Sequence, residues 1–398
     1  MIKSRWERRK VKYDMIENFE FILPTKIVYG KGISSHLAQE LKDLGNDNPL
    51  IVTDKGLIEA GVVGKVLKGL EEAGMNYNIF DEIEPNPRDL TVQRGYELAG
   101  ALGSDSLVAI GGGSSMDTAK GIGVLMSHGG TIQDYEGIGK VTKPICDLIA
   151  IPTTVGTGSE VTFWSVITDT KRHFKMSVGS PLIAPKIALV DPDLVDTLPP
   201  AIVASTGMDA LTHAVEGYTC TLAEPITDAC GIYAIRIIAE NIRKAVLKGD
   251  KDAKANLLVG SLIAGICFGN SDIAGVHCMG EALGGIYDTP HGVAMASLLP
   301  YVMDYNYISD YKKFGEIAKA MGETIDGLSE EEAAYAAISA VEKLNRDIKI
   351  PTLKEIGVRF EDLPELAKRS AANVSVDSNP RVANEKDFLD IFKKAYNQ

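Results

Sequence analysis

The sequence predicts a protein in two parts, an α/β half with a parallel sheet followed by an all-helical half. Its 398 residues exceed the length at which one hydrophobic core usually stops growing. Short apolar runs alternate with segments of helical periodicity up to about residue 190, which indicates a parallel sheet with helices between its strands. Beyond Leu198-Pro199-Pro200 the strand signals almost cease, so we expect the boundary near residues 192–200.

Strands are expected where short apolar runs are bounded by turn residues. The first run, residues 21–30, predicts an opening strand for which an early neighbour is a candidate hairpin partner. Residues 161–169 and 174–178 are expected to form a further hairpin. The other expected strands are residues 49–54, 77–80, 106–110, 147–151 and 187–190.

Helices are expected where apolar residues recur every three or four positions. In the first half these are residues 33–44, 57–73 and 91–102, and Gly45 and Gly74 are expected to end the first two. In the second half the clearest examples are residues 226–246, 253–268 and 330–344.

Bulk composition restricts the classes of partner. The net charge of −13 argues against nucleic acid and anionic membranes, because phosphate binding needs a basic surface. No apolar run reaches the roughly 18–20 residues that span a bilayer. Five cysteines without a C-x-x-C pair are expected to be reduced, in a cytoplasmic protein, rather than to form disulfides or a structural zinc site.

The first fourteen residues differ from the rest of the chain. They are rich in lysine and arginine, and they contain no apolar segment of the kind found in a secretory signal. We expect residues 1–14 to be a disordered extension, with Met15 as the functional start. A targeting role for this segment is the alternative.

A glycine-rich turn follows the apolar run at residues 106–110. Gly111, Gly112 and Gly113 allow a ligand to approach the backbone closely, and Ser114 opens a segment of helical periodicity. The free N–H groups and the positive dipole end of such a helix attract phosphate. The turn therefore predicts a phosphate-binding site, although it lacks the G-x-G-x-x-G fingerprint and a tight strand–helix corner is the alternative.

Other polar residues also follow predicted strands. Asp54 ends one strand, Asn86 lies in a rigid connection between two prolines, and residues 153–157 are rich in hydroxyl groups and glycine. In a parallel sheet these positions share the carboxyl edge, where ligands bind. We expect a polar ligand there. For residues 153–157 a polar surface turn is the alternative.

Asp209 and His213 lie four residues apart in a segment with helical periodicity, so both side chains face the same side of a helix. His277 and His291 lie in or beside an apolar, glycine-rich stretch. Buried imidazoles need partners, and one shared metal ion satisfies all three histidines. The alternative is a helix-terminal acid with a histidine on a polar face and no metal.

Taken together, these stretches resemble the iron-containing (group III) alcohol dehydrogenase family, from about residue 16 to the C-terminus. The resemblance implies a Rossmann-like NAD(P)-binding domain at residues 15–197 and an all-helical metal-binding domain at residues 198–398, which together form the dehydroquinate synthase-like fold. The matching stretches are Gly111-Gly112-Gly113-Ser114 with Asp117 and Lys120, the segment 152–160, Gly207-Met208-Asp209 with His213, and His277 with Pro290-His291-Gly292.

The resemblance also implies roles for individual residues. The implied ligands of Fe²⁺, or in some members Zn²⁺, are Asp209, His213, His277 and His291. The residues implied to lie along the cofactor are Asp54, Asn86, Gly112, Gly113, Ser114, Asp117, Thr153, Thr154, Thr157, Val166 and Lys175. Family members place an acid like Asp54 against the adenosine ribose, where a carboxylate repels the 2′-phosphate of NADP. We therefore expect NAD to be preferred over NADP.

The implied activity is hydride transfer between NAD(H) and a primary alcohol, small diol or aldehyde, with the divalent cation acting as a Lewis acid on the reacting oxygen. Family members often form dimers and larger assemblies, so the resemblance also implies a homo-oligomer. One alternative is a non-catalytic sensor that binds NAD and metal. Another is an NAD-dependent lyase of the dehydroquinate synthase type.

One position departs from the family pattern. Many members carry a second histidine four residues after the ligand that corresponds to His277, and here that residue is Glu281. A tuned carboxyl group at this place is a candidate general acid or base. A purely structural role for Glu281 is the alternative.

Overall fold

The computed structural model describes residues 18–172 and 174–397. The expected disordered extension, residues 1–14, lies outside these ranges. Within them, strands occur between residues 26 and 190, and the chain from Pro200 onwards is helical. The predicted fold class, a parallel-sheet α/β part followed by a helical part, is confirmed.

Nine strands lie in the described part of the chain. Six of them form one sheet in the order β1-β9-β6-β4-β2-β3, in which every neighbouring pair is parallel. The strands are β1 (Lys26–Tyr29), β2 (Pro49–Val52), β3 (Asn78–Phe80), β4 (Ser106–Gly111), β5 (Gly137–Ile138), β6 (Leu148–Pro152), β7 (Trp164–Asp169), β8 (Phe174–Gly179) and β9 (Ile187–Val190).

The strand order reverses between β2 and β4. From β2 the chain runs outwards to β3 and then returns to the other side of β2 as β4. The four inner strands β2, β4, β6 and β9 are buried along their whole length, because helices cover both faces of the sheet. A reversal of this kind opens a crevice at the carboxyl ends of the two strands, which is where ligands bind in such sheets.

The expected partner of the first strand is wrong. β1 begins at Lys26 instead of residue 21, and it pairs in parallel with β9, with Lys26 opposite Ile187, instead of forming a hairpin with an early neighbour. Alternation along a strand identifies its buried face but contains no information on its partner. The second expected hairpin is confirmed: β7 and β8 are antiparallel, and β5 joins them in a separate three-stranded sheet.

The helices of the α/β part lie at the predicted positions, except that one predicted helix is divided into two. The predicted segment 57–73 is two helices, because Gly61 adopts a left-handed conformation, with φ 72°, between them. Gly45 ends the first helix in the same conformation, as expected. The helices are α1 (Leu37–Leu44), α2 (Lys55–Glu59), α3 (Val62–Glu72), α4 (Asp89–Leu102) and α5 (Gly113–His128).

The helical part packs around one large apolar core, to which most of its helices contribute. Pro200 and Pro225 occupy the first positions of α6 and α7, where their missing N–H groups cost nothing. The helices are α6 (Pro200–Thr219), α7 (Pro225–Lys248), α8 (Lys251–Asn270), α9 (Gly275–Tyr287), α10 (His291–Asn306), α11 (Tyr311–Ala320), α12 (Glu330–Asp347), α13 (Leu353–Ile356), α14 (Leu363–Ala371) and α15 (Glu385–Tyr396).

Among the residues that the structure describes, one helix, α8, is long and apolar enough to cross a membrane, which the apolar runs in the sequence did not predict. Its most apolar stretch is 67% buried. Residues such as Leu257, Leu258 and Ala264 pack into the core of the helical part. Burial of this kind is typical of a core helix in a globular fold.

Candidate metal and cofactor site

Three helices of the second part bring the four predicted metal ligands together. Asp209 and His213 lie one turn apart on α6, His277 lies in the first turn of α9, and His291 is the first residue of α10. One carboxylate oxygen and one nitrogen from each imidazole lie within 4.8 Å of one another. In the described part of the chain, this cluster is the one group of acidic, histidine or cysteine side chains close enough to share an ion.

The atoms of this cluster fit a divalent cation. His213 Nε2 lies 3.1 Å from His277 Nε2, and His291 Nε2 lies 3.5 Å from Asp209 Oδ1. Two imidazole nitrogens that face each other need a proton or a cation between them. Asp209 Oδ1 is buried and has no hydrogen-bond partner among the described residues. An oxygen and three nitrogens of this kind suit Fe²⁺ and Zn²⁺.

Burial sets the protonation states that metal binding requires. It lowers the pKa of His213 and His291 well below the usual range, and neighbouring positive charge adds to the effect. Both imidazoles are therefore neutral near pH 7, and each has a free lone pair. Burial also raises the pKa of Asp209 to about 7, although His277 and Lys175 oppose this shift. A cation beside Asp209 would favour its ionised form.

Glu216, which was not predicted from the sequence, contacts the predicted ligand His277. His277 Nδ1 lies 2.5 Å from Glu216 Oε2, and the same carboxylate accepts hydrogen bonds from the backbone N–H groups of Val276 and Ala274. Burial lowers the pKa of His277, but Glu216, with smaller contributions from Asp209 and Glu281, outweighs this effect, so the pKa is raised. Glu216 continues the spacing of Asp209 and His213 by one more turn of α6, and this i, i+4, i+7 pattern is the signal that could have identified it.

A backbone carbonyl group fixes the tautomer of His213 by accepting a hydrogen bond from its Nδ1–H. His213 Nδ1 lies 3.3 Å from the carbonyl oxygen of Gly156, which belongs to the loop after β6. On its other side the ring stacks on Phe268, with centroids 4.2 Å apart. The contact with Gly156 leaves His213 Nε2 free to bind a metal, and it also joins the two halves of the chain at the site.

A short segment near the C-terminus holds the ligand helices together. Asn379 accepts hydrogen bonds from the backbone N–H of Gly275, at the start of α9, and from the side chain of Asn306, at the end of α10. The carbonyl oxygen of Ser378 accepts a hydrogen bond from Thr221, just after α6. This segment therefore contacts α9, α10 and the residues just after α6, a connection that sequence spacing does not reveal.

The glycine turn after β4 has the geometry of an anion site. Gly112 precedes α5 and provides no side-chain cap, so the first N–H groups of the helix remain available. A Cβ atom on Gly112 would lie 3.1 Å from Thr154, and one on Gly113 would lie 2.9 Å from Thr157. Ser114 belongs to the first turn of α5. The structure thus brings five predicted cofactor residues together.

Asp54 and Thr153 flank the same crevice. Asp54 follows β2, and its Oδ1 caps α2 by accepting a hydrogen bond from the N–H of Leu57. Thr153 follows β6, and its buried hydroxyl oxygen has no partner among the described residues. Asp54, Thr153 and the glycine turn therefore lie at the carboxyl edge of the sheet, at and beside the reversal of strand order.

Asp117 and Val166 lie together, but their polar groups are already occupied. Asp117 accepts hydrogen bonds from the Ser159 hydroxyl, at 2.8 Å, and from the Val166 N–H, at 3.0 Å. Burial raises the pKa of Asp117, and the nearby ammonium group of Lys120 opposes this shift. In this structure the two residues join α5 to β7, so they are placed to support the cofactor residues around them.

Asn86 and Lys175 line a cavity of about 390 Å³ between β8 and the C-terminal end of α9. Lys175 Nζ donates a hydrogen bond to Asn86 Oδ1, at 2.8 Å, and Asn86 Nδ2 donates one to Asp288, at 2.6 Å. Burial lowers the pKa of Lys175. The cavity is lined by Gly284 and Gly285 of α9, the same helix that carries the predicted ligand His277.

Comparison with known proteins agrees with this geometry. Residues 24–192 match the profile described as "Iron-containing alcohol dehydrogenase", and residues 203–396 match "Fe-containing alcohol dehydrogenase family, C-terminal". The chain is 44% identical over 382 residues to the 1,3-propanediol dehydrogenase of Citrobacter freundii, and the aligned region covers 95% of this chain and 99% of that protein. It is 41% identical over 392 residues to the choline dehydrogenase of Bacillus subtilis, and this alignment covers 97% of this chain and 98% of that protein.

A solved structure gives the same result. The crystal structure of a 1,3-propanediol oxidoreductase matches with a TM-score of 0.93 and 42% identity, over 95% of this chain and 100% of that one. Both halves of the fold are therefore shared along nearly the whole length. The chain belongs to the iron-containing alcohol dehydrogenase family.

Proposed function

We propose that this chain is an NAD-dependent alcohol dehydrogenase and aldehyde reductase, with Asp209, His213, His277 and His291 as its metal ligands. The observation that carries the proposal is the cluster of these four side chains, three of them buried and His291 half-buried, joined through Gly156 to the glycine-lined edge of the parallel sheet. Family membership favours Fe²⁺ over Zn²⁺ at this cluster. The NAD-binding part corresponds to residues 15–197 and the metal-binding part to residues 198–398.

The chain's own residues would prepare the site for hydride transfer. When bound, the metal would polarise the substrate oxygen as a Lewis acid, and the nicotinamide would accept or supply the hydride. Glu216 and the Gly156 carbonyl hold the imidazoles of His277 and His213 in place. Phe268 stacks on His213 and excludes water from that face. Gly112 and Gly113 would let the pyrophosphate of a bound cofactor approach the backbone at the start of α5.

The substrate class is a small primary alcohol, diol or aldehyde. The relatives named above act, by their names, on 1,3-propanediol and choline. We assign the protein to the cytoplasm because its five cysteines are all unpaired. We also propose that it is a homo-oligomer, which gel filtration of the purified protein tests.

Metal reconstitution tests this function. Protein purified without oxygen, stripped of metal and given Fe²⁺ or Zn²⁺ separately is expected to oxidise NADH with butyraldehyde only when metal is restored, and fastest with Fe²⁺. The measurement is the loss of NADH absorbance. Tight NADH binding without turnover of any short aldehyde, with either metal, would instead favour the sensor. Turnover of a phosphorylated acid without net NADH loss would favour the lyase.

Replacing Asp54 by glycine is expected to raise the NADPH-to-NADH ratio of kcat/KM by about tenfold, because a carboxylate that repels the 2′-phosphate is removed. The lost cap of α2 should cost only a few tenths of a kcal/mol, since glycine is itself an acceptable N-cap residue. Initial rates with both cofactors measure the ratio, and a melting curve checks that the variant is folded. An unchanged ratio in folded protein would mean that Asp54 does not contact the ribose.

A further inference from the structure

Glu281 lies one turn beyond His277 on α9 and faces the same side of that helix. It is half-buried, and its Oε2 accepts a hydrogen bond of 2.6 Å from Asn373 Nδ2. Within residues 18–172 and 174–397, Glu281 forms no ion pair, and its Oε1 has no hydrogen-bond partner. A neutral amide therefore fixes the side chain, and the carboxylate keeps its charge outside any close ion pair in the described residues.

The surroundings place this carboxylate between the metal cluster and the cavity. Gly284, one turn further along α9, packs so closely that an added Cβ would lie 3.3 Å from Lys175 Nζ. Burial lowers the pKa of Lys175, and Glu281 is the strongest of the charges that oppose this effect. Glu281 therefore lies near both His277, on its own helix, and Lys175, on the facing strand β8.

Several carboxylates act on the Lys175 ammonium group and oppose the fall in its pKa, those of Glu281, Asp288, Asp117 and Asp209. Asp209 belongs to the metal cluster, and Asp117 has Lys120 as a second positive neighbour. A neutral imidazole at position 281 would remove one negative charge from this group. With glutamate, this turn of α9 carries a negative charge between the metal cluster and the cavity.

We propose that Glu281 determines substrate specificity by favouring alcohols that carry an ammonium group a few atoms from the reacting hydroxyl. The class comprises amino alcohols and quaternary ammonium alcohols. A carboxylate in a partly desolvated cleft attracts such a cation, while an uncharged alcohol of the same shape gains nothing from it. This inference rests on the proposed dehydrogenase function and names its substrate class.

Two alcohols of nearly the same shape test the proposal. Choline carries the charge, and 3,3-dimethylbutan-1-ol replaces the nitrogen by carbon. The reconstituted wild-type enzyme is expected to favour choline by about tenfold or more in kcat/KM. Glu281→Gln, which keeps an oxygen for Asn373, is expected to reduce that ratio to near one, mainly through the KM for choline. A wild-type preference for the neutral alcohol, or a ratio unchanged in the variant, would overturn the proposal.

A proton-transfer role would give a different result. If Glu281 is a general acid or base, Glu281→Gln lowers kcat for both alcohols alike and leaves their ratio unchanged. That outcome also overturns the specificity proposal.

Asp288→Asn is the matched control. Asp288 is a second carboxylate near Lys175, its φ of 52° suits asparagine, and the substitution keeps an oxygen for Asn86. Its choline preference is expected to equal that of the wild type, because Asp288 is exposed and solvent screens its charge, whereas Glu281 is half-buried. An equal fall in both variants would assign the effect to the general charge of the cleft and overturn the role of Glu281.

Oxidation of 1,3-propanediol in the same assay distinguishes a failure of the dehydrogenase function from a failure of the role proposed for Glu281. If no alcohol is oxidised, the dehydrogenase function itself is wrong, and the specificity proposal fails with it. If the diol is oxidised and choline is not preferred over its neutral analogue, only the role of Glu281 is wrong.

Discussion

His277→Ala is expected to lower kcat/KM for aldehyde reduction by about 10³-fold or more and to leave the purified protein with much less than one metal ion per chain. The substitution removes one of three imidazoles from the cluster, and Lewis-acid catalysis contributes several kcal/mol to the barrier. It also leaves the Glu216 carboxylate without its imidazole partner. Metal content is measured by elemental analysis and activity by NADH oxidation.

The control for this variant is His36→Ala. His36 is exposed, lies just before α1 and is not part of the cluster. Its alanine variant is expected to retain full metal content and activity. Circular dichroism should show that His277→Ala remains folded, because Glu216 keeps its hydrogen bonds from Val276 and Ala274 and the loss of a buried charged partner costs about 3–5 kcal/mol, less than the stability of a typical domain. Full metal content in folded His277→Ala would remove His277 from the ligand set.

The sequence predicted the elements well because their signals are local. The apolar run and glycines at residues 106–113 identified β4 and the start of α5, and the i, i+4 spacing placed Asp209 and His213 on one face of α6. Each prediction needs only the preferences of neighbouring residues. The family resemblance then supplied the contact of this pair with His277 and His291, which local spacing alone left open.

Long-range contacts were the features that the sequence could not provide. The pairing of β1 with β9 joins the two ends of the α/β part, and no pattern within residues 21–30 selects that partner. The contacts of Asn379 with Gly275 and Asn306 likewise join residues far apart in the chain. Polar residues of this kind are recognised only when the fold shows what they touch.

Glu216 combines a local signal that the sequence contains with a long-range contact that it does not. Its position on α6 could have been read from the spacing, but its role depends on the start of α9, where it accepts hydrogen bonds from two backbone N–H groups and contacts His277. It therefore orients a predicted ligand without being one. Residues that orient metal-binding imidazoles in this way affect metal affinity nearly as strongly as some ligands do.

Glu216→Gln is expected to weaken metal binding by about 10- to 100-fold. A glutamine side chain has one acceptor oxygen instead of two and no negative charge, so it cannot serve the backbone of α9 and the Nδ1–H of His277 as the carboxylate does. His277 Nε2 then loses both its fixed orientation and some of its basicity. Competition between the protein and a chelator for Zn²⁺ or Co²⁺ measures the affinity independently of turnover.

Glu224→Gln separates a role in metal binding from a role in stability. Glu224 is also a buried glutamate that accepts hydrogen bonds from two backbone N–H groups, those of Ile226 and Thr227, but it caps α7 and is not part of the cluster. Both variants are expected to lower the melting temperature, because each loses a charged acceptor. Only Glu216→Gln should weaken metal binding. If both variants bind metal as tightly as the wild type, Glu216 stabilises the start of α9 without positioning His277 for the metal.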